Sequence, residues 1–212
     1  MYKDFIWDAD GTLLDTIPGI MSCFKKIINE HNKEIDDFEL KKIESIYKKQ
    51  NSKMCIKYIE EKYNISLDDF DERYKILSND DEIIKNVKLI EYGMEICKKI
   101  KESGKRNFII SNKDEALIKI LEKFKVLEYF EDVIFIGKYN IFVKKPEVDA
   151  FKYLIDKYDL NPEETLSIGD RDVDVIASQK VNMKTCLFNP LEGFKTKPDH
   201  IIKSFKELEQ FI

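Results

Sequence analysis

The chain has 212 residues, 43% hydrophobic and 36% charged, enough to bury one large core or a core with an inserted unit. Its formal charge of −5 argues against nucleic acid or an anionic membrane as the main partner, because both reward a basic face. No apolar run approaches the roughly 20 residues of a membrane span, and the first strand candidate begins too near Met1 to leave room for a signal peptide in this sequence.

Residues 3 to 8 (Lys-Asp-Phe-Ile-Trp-Asp) predict a short strand that ends at carboxylates. From about Pro18 to Ser78 the pattern is helical: Ile20, Phe24, Ile27 and Ile28, then Leu40, Ile43, Ile46 and Tyr47, then Met54, Tyr58 and Ile59, then Leu67, Phe70, Tyr74 and Leu77 recur at helical spacing. After Asp81 short strands alternate with helices. A helix over about 89 to 102 stops at Gly104, a natural C-cap, and strand 107 to 111 follows. Asp114 can cap a helix carrying Leu117, Leu121 and Phe124; strand 133 to 136, a helix opening at Pro146, strand 165 to 168, a helix near 173 to 180, strand 185 to 188 and a terminal helix from about Phe205 complete the chain. The pattern predicts an α/β fold, a Rossmann-like and mostly parallel sheet with helices on both faces. A small all-helical unit is inserted after the first strand. The expected division is 1–16 and 82–212 for the α/β core and 17–81 for the helical insert, with hinges near Asp15 to Pro18 and Asn79 to Glu82.

Cys23, Cys55, Cys97 and Cys186 are scattered without a C-x-x-C pair, and the chain has two histidines. A zinc site is therefore not expected, and the thiols are expected to be reduced, in a cytoplasmic protein.

In an open parallel sheet, ligands bind beyond the C-terminal ends of the strands. Four such ends or their loops carry reactive groups here: Asp8-Ala-Asp10-Gly11-Thr12, Ser111-Asn112-Lys113, Lys144-Lys145-Pro146, and Gly169-Asp170-Arg171-Asp-Val-Asp174. Taken singly, each has a plain structural explanation as a turn, a cap or a solvated pair. The first does not stay plain for long, because D-x-D-G-T-x-x-D (through Asp15) specifies five residues and should arise by chance less than about once in a thousand chains of this length. Convergence of Asp8, Asp10 and Asp170 would cost roughly 4 kcal/mol per pair at 4 Å and an effective dielectric near 20. A Mg²⁺ ion and a lysine ammonium would compensate, which points to chemistry on a phosphate.

As a set and in this order, the four motifs resemble those of haloacid dehalogenase superfamily hydrolases: D-x-D-G-T, a Ser or Thr after a strand, a Lys-Pro, and G-D-x-x-x-D. The insert directly after the first motif resembles the cap of the branch that includes phosphoglycolate phosphatase and β-phosphoglucomutase. The resemblance implies that Asp8 is a nucleophile forming an aspartyl-phosphate and that Asp10 acts as general acid and base. It implies that Asp8, the backbone carbonyl of Asp10 and Asp170 hold Mg²⁺, with Asp174 in or near the second ligand layer. Ser111 and Asn112 would hold phosphate oxygens, with Gly11 and Thr12 shaping the loop around them and Asp15 assisting. Lys145, identified by its adjacency to Pro146, would neutralise Asp8 and the phosphoryl group, leaving Lys144 aside. Arg171 stands where the family commonly has a small polar residue, with the phosphate, the cap or a surface salt bridge as its possible partners.

The expected function is a Mg²⁺-dependent phosphatase of a small phosphorylated metabolite, a monomer or weak homodimer that binds neither nucleic acid nor membrane. The presence of Asp10 disfavours dehalogenation, since expelling chloride needs no proton donor. The alternatives are a phosphosugar mutase of the same architecture, a phosphorylated receiver-like signalling module, and a non-catalytic phospho-binding regulator. The insert carries no sugar-specific signature, and receiver modules are shorter and lack it. Lys48, Lys49 and Lys53 in the insert are candidates to meet an anionic group, against the plainer reading of a solvated helix face.

Overall fold

A computed structural model describes residues 1–190 and 193–212. The chain folds as two compact units, one made of residues 1–15 and 89–212 and the other of residues 16–88.

The first unit is built on a parallel sheet. Strands β1 (Asp4–Trp7), β4 (Arg106–Ser111), β5 (Asp132–Phe135), β6 (Thr165–Gly169), β7 (Lys184–Phe188) and β8 (His200–Ile202) lie in the order β5-β4-β1-β6-β7-β8. Two short strands, β2 (Leu14–Asp15) and β3 (Lys88–Leu89), pair separately. Every residue of β1 is buried, as expected of a central parallel strand covered on both faces. One face packs Ile6, Phe108, Ile110 and Ile134 against Phe151 and Leu154 of α8 (Asp149–Tyr158) and Ala177 of α9 (Asp172–Gln179). On the other face Trp7 meets Phe205 edge-on at 5.5 Å, and Phe205 stacks on Phe188 at 4.1 Å.

Register sets the site. Trp7 lies opposite both Ile109 and Ile168, so Asp8, Ser111 and Asp170 leave neighbouring strands at the same end of the sheet. The other end is closed by Arg106, whose Nε and Nη2 donate to buried Asp4 at 2.6 and 3.0 Å. In mid-sheet, Asn107 accepts from Trp7 Nε1 at 3.0 Å and donates to the Cys97 carbonyl at 2.8 Å. Helix α6 (Gly93–Glu102) ends as the sequence predicts: Gly104 has φ +79°, and Lys105 N donates to Ile100 O at 3.2 Å, closing a Schellman turn. The N-cap of α7 (Ala116–Lys123) is Glu115, without a side-chain cap bond; Asp114, one residue earlier, accepts from Ala116 N at 3.0 Å in the turn that leads into the helix.

The second unit holds α1 (Ile17–Glu30), α2 (Asp37–Lys49), α3 (Ser52–Tyr63), α4 (Phe70–Ser78) and the short α5 (Asp81–Ile84). Its core gathers Ile20, Phe24, Ile27 and Ile28 with Ile43, Ile59, Phe70 and Leu77, the residues whose spacing marks these helices. Asp36 and Asn51 cap α2 and α3 through Glu39 N and Met54 N. Lys48, Lys49 and Lys53 are exposed, and Lys48 pairs with Glu44 one turn away.

Several elements differ from expectation. The insert runs on past residue 81, because Ile83 is buried in the helical core and Lys26 holds Asp80 and Glu82 at 3.1 and 3.2 Å. The second crossing is therefore at Lys88–Leu89, and Asn79 to Glu82 belong to the helical unit rather than to a hinge. Helix α6 starts at Gly93, since Lys88–Leu89 is a strand and Tyr92 takes φ +64°. Helix α8 starts at Asp149, not at Pro146, because the chain at Lys145 is held in a loop by the Asn112 side chain. The terminal helix, Phe205–Phe211, is a 3₁₀ helix, and the edge strand β8 was not anticipated in a segment of three residues beside Pro198.

All four cysteines are buried and none is joined in a disulfide. Burial pushes the Cys55 thiol up to about 11 and the Cys186 thiol up to about 12, and raises Cys97 well above the ordinary value. The thiolate is the reactive form, so native protein at pH 8 should react with a thiol reagent such as DTNB only at the rate of opening, and unfolded protein should titrate four thiols at once. Rapid native labelling of Cys97 would contradict this packing.

Candidate active site

The site lies where β1, β4 and β6 end. Asp8 follows β1 and is nearly fully buried, with its amide donating to Ile168 O at 2.8 Å. Lys145 enters from the loop before α8. Its ammonium, also buried, donates to Asp8 Oδ1 at 2.6 Å and to Ile110 O at 2.9 Å, and lies 2.7 Å from Asp174 Oδ1. Lys144, next to it, is exposed, so the buried partner of Asp8 is Lys145.

Two glycines permit this convergence. A Cβ on Gly169 would stand 2.4 Å from Asp174 Cβ, so only glycine lets the first turn of α9 close on the end of β6. Gly11 has φ +87°, and a Cβ there would meet Asp170 Oδ2 at 2.3 Å. Asp174 is buried in α9 and accepts from Arg171 N at 3.1 Å. Asn112 accepts from Lys145 N at 2.8 Å through Oδ1, fixing the loop that presents the lysine. Ser111, at the end of β4, is buried and its Oγ accepts from Lys113 N at 3.1 Å. Thr12 is fully buried under the Asp8–Gly11 turn, in which Leu13 N and Leu14 N donate to Ala9 O. Asp15 lies in β2, beyond this turn.

The sequence-predicted residues Asp8, Asp170 and Asp174 come together: they present carboxylate oxygens that all lie within 4.8 Å of one another. Each pair of charges at that distance repels by roughly 3 kcal/mol at an effective dielectric near 20. One ammonium does not cancel three carboxylates. Burial raises Asp8 above the ordinary carboxylate range against the pull of Lys145; burial, then the charges of Asp8 and Asp174, raise Asp170 further. Burial opposes the charge on Lys145 too, but Asp174 and Asp8 outweigh it and hold this lysine above its ordinary value. Asp8 Oδ2, Asp10 Oδ1 and Asp170 Oδ1 are buried without a hydrogen-bond partner among the described residues. Hard, crowded, unpartnered carboxylate oxygens fit a small divalent cation such as Mg²⁺.

Two further cations stand by the acids. Lys113 Nζ is 3.7 Å from Asp10 Oδ2, and the half-exposed Arg171 has Nε 3.7 Å from Asp170 Oδ1. The tie from Asn112 to the Lys145 backbone was missed from the sequence, where Asn112 reads only as an amide donor. The two residues are 33 apart in sequence, and no local pattern signals the pairing.

A family model of haloacid dehalogenase-like hydrolases matches residues 5–188. The chain belongs to that family. Pyrophosphatase PpaX of Bacillus mycoides is 24% identical over 214 residues, covering 96% of this chain and 93% of its own. A predicted phosphoglycolate phosphatase from Haemophilus somnus superposes with a TM-score of 0.82 at 19% identity, covering 99% of this chain and 97% of its own. The HAD-hydrolase YfnB of Bacillus subtilis, solved bound to magnesium, superposes at 0.80 with 17% identity, covering 99% and 98%.

The close approach at Gly11 yields a prediction. Gly11→Ala should cost about 1–2 kcal/mol in stability from the left-handed backbone, yet displace Asp170 and weaken binding of a divalent cation at least about tenfold. Thermal unfolding and calorimetric titration with Mg²⁺ read the two effects separately. Wild-type cation affinity in this variant would contradict the geometry.

Proposed function

We propose that this hydrolase is a Mg²⁺-dependent phosphatase of small phosphorylated compounds that works through an aspartyl-phosphate on Asp8. The observation that carries the reading is the buried Lys145 ammonium bridging Asp8 and Asp174 while Asp170 completes a three-carboxylate cluster. The family and its phosphatase relatives place the chain among phosphatases; the metal, the intermediate and the residue roles are the finer proposal.

In this reading Asp8, the backbone carbonyl of Asp10 and Asp170 hold the cation, with Asp174 beside them. The cation, when bound, neutralises the phosphoryl oxygens and the acids around them. An Asp8 carboxylate oxygen attacks phosphorus, the new O–P bond forms, and the bond to the leaving oxygen breaks. Asp10 gives its proton to that oxygen, which leaves as a neutral hydroxyl. Asp10, now a carboxylate, takes a proton from the water that attacks the phosphoryl group, and Asp8 is released as a carboxylate. Lys145 keeps Asp8 ionised and oriented for attack. Ser111 and the Asn112 amide hold phosphoryl oxygens, while Gly11 and Thr12 shape the loop around them.

A panel of phosphate esters together with pyrophosphate, assayed with Mg²⁺, tests the class. Asp8→Asn and Asp10→Asn should each cut kcat at least about 10²-fold, the low end for losing a positioned catalytic group. Both should stay folded: Asp8→Asn removes one charge from the repelling cluster while Lys145 keeps Asp174 as a partner, and Asp10→Asn gives up only a 3.7 Å approach to Lys113. Chelation should abolish turnover, and Ca²⁺ should restore it poorly because it takes more ligands at longer distances than Mg²⁺. Near-wild-type turnover by either variant, or a metal-independent rate, would sink the proposal.

A further inference from the structure

The acids of the site are not compensated alike. Asp8 and Asp174 share Lys145, whose side chain is 3% exposed and whose Nζ donates to Asp8 Oδ1 at 2.6 Å and lies 2.7 Å from Asp174 Oδ1. That ammonium is fixed in place, because it also donates to the Ile110 carbonyl. Asp170 has a looser partner. Among the described residues its ion pair is with Arg171, Nε to Oδ1 at 3.7 Å, beyond hydrogen-bond distance, and the Arg171 side chain is 51% exposed. Asp170 Oδ1 is buried and accepts no hydrogen bond from a described residue, so charge alone relates the two groups.

The backbone does not by itself bring them together. Arg171 is extended, at φ −129° and ψ 158°, and extended backbone turns successive side chains to opposite sides. A guanidinium that comes back to the carboxylate of the residue before it is drawn there by the acids. The backbone of Arg171 is tied down, since it forms the N-cap of α9 and its amide donates to Asp174 Oδ2 at 3.1 Å. Its half-exposed side chain can therefore leave Asp170 for water without disturbing the turn.

We propose that Arg171 is the counter-ion of Asp170 in the cation-free site and competes with the divalent cation for that carboxylate, so that the chain's own guanidinium limits how tightly the cation is held. The inference rests on the reading of Asp170 as a cation ligand and concerns the strength of that site. A guanidinium and a divalent cation at one carboxylate oxygen repel each other, and of the two the guanidinium has solvent to receive it. Arg171 thus stabilises the empty cluster and works against the loaded one. Lys145, buried and fully engaged, stays with Asp8 and Asp174 in both.

Calorimetric titration of metal-free protein with Mg²⁺ tests this without turnover. Arg171→Gln removes the charge and keeps a polar side chain. It should bind Mg²⁺ about three- to tenfold more tightly than wild type, the range for a half-exposed charge acting on a doubly charged ion. Arg171→Lys keeps the charge and should return the affinity to near the wild-type value. Thermal unfolding gives an independent reading. In chelator Arg171→Gln should melt below wild type, and the same excess of Mg²⁺ should raise its melting temperature by more than it raises that of wild type. Unchanged affinity in Arg171→Gln would overturn the inference and leave Arg171 as a surface ion pair. Weaker binding would overturn it as well, because that is the signature of a residue that orients Asp170 for the cation. Equal tightening in Arg171→Gln and Arg171→Lys would trace the effect to side-chain shape and overturn the competition. Wild-type protein that binds no Mg²⁺ would remove the cation site of the proposed function, and this inference with it.

Discussion

One buried ammonium organises the chemistry of the core unit. Lys145 stands between Asp8, at the end of β1, and Asp174, in the first turn of α9, and each of those carboxylates would be untenable there without it. Placing the lysine requires the rest of the arrangement. The Asn112 side chain holds its backbone, Gly169 lets α9 approach close enough to present Asp174, and Gly11 leaves room for Asp170. Burial first, and the neighbouring acids after it, hold Asp8 and Asp170 above the ordinary carboxylate range even with Lys145 counted. The cluster is complete as a scaffold and incomplete as an electrostatic system. In the proposed function a divalent cation supplies the positive charge it lacks.

The sheet explains why such a cluster can be built at all. Because β4, β1 and β6 are adjacent, parallel and in register, three loops far apart in sequence open at one edge. The opposite edge is closed by the Asp4–Arg106 pair, and the faces are filled by aliphatic and aromatic side chains. Reactive residues at the open end therefore follow directly on buried strands, which suits a reaction in which positioning and electrostatics do most of the work.

Much of this was legible in the sequence, for reasons that can be named. Strands such as Phe5-Ile-Trp and Phe108-Ile-Ile are continuous apolar runs because both of their faces are buried. The four helical repeats between Pro18 and Ser78 follow the period of a helix with one buried side. The acids were legible because three like charges beside a buried strand have no structural excuse. What escaped was what distance along the chain conceals. The tie from Asn112 to Lys145 and the attachment of Asp80 and Glu82 to Lys26 both depend on tertiary contacts with no local signature. The short edge strand His200–Ile202 and the start of α8 at Asp149 were missed because three residues carry too little periodicity, and because a held loop overrode the helix-opening tendency of Pro146.

The proposed mechanism requires that Asp8 become phosphorylated. Borohydride reduces an acyl phosphate to the alcohol, so enzyme quenched during turnover with Mg²⁺ and a hydrolysed phosphate ester, then reduced, should carry homoserine at position 8 in the peptide spanning β1 and its following turn. Mass spectrometry of that peptide reads the result directly. Homoserine at position 8, absent when Mg²⁺ or substrate is omitted, is the outcome the proposed mechanism predicts. Turnover without any reduced aspartate, or with the label on Asp10 or Asp170 instead, would contradict it.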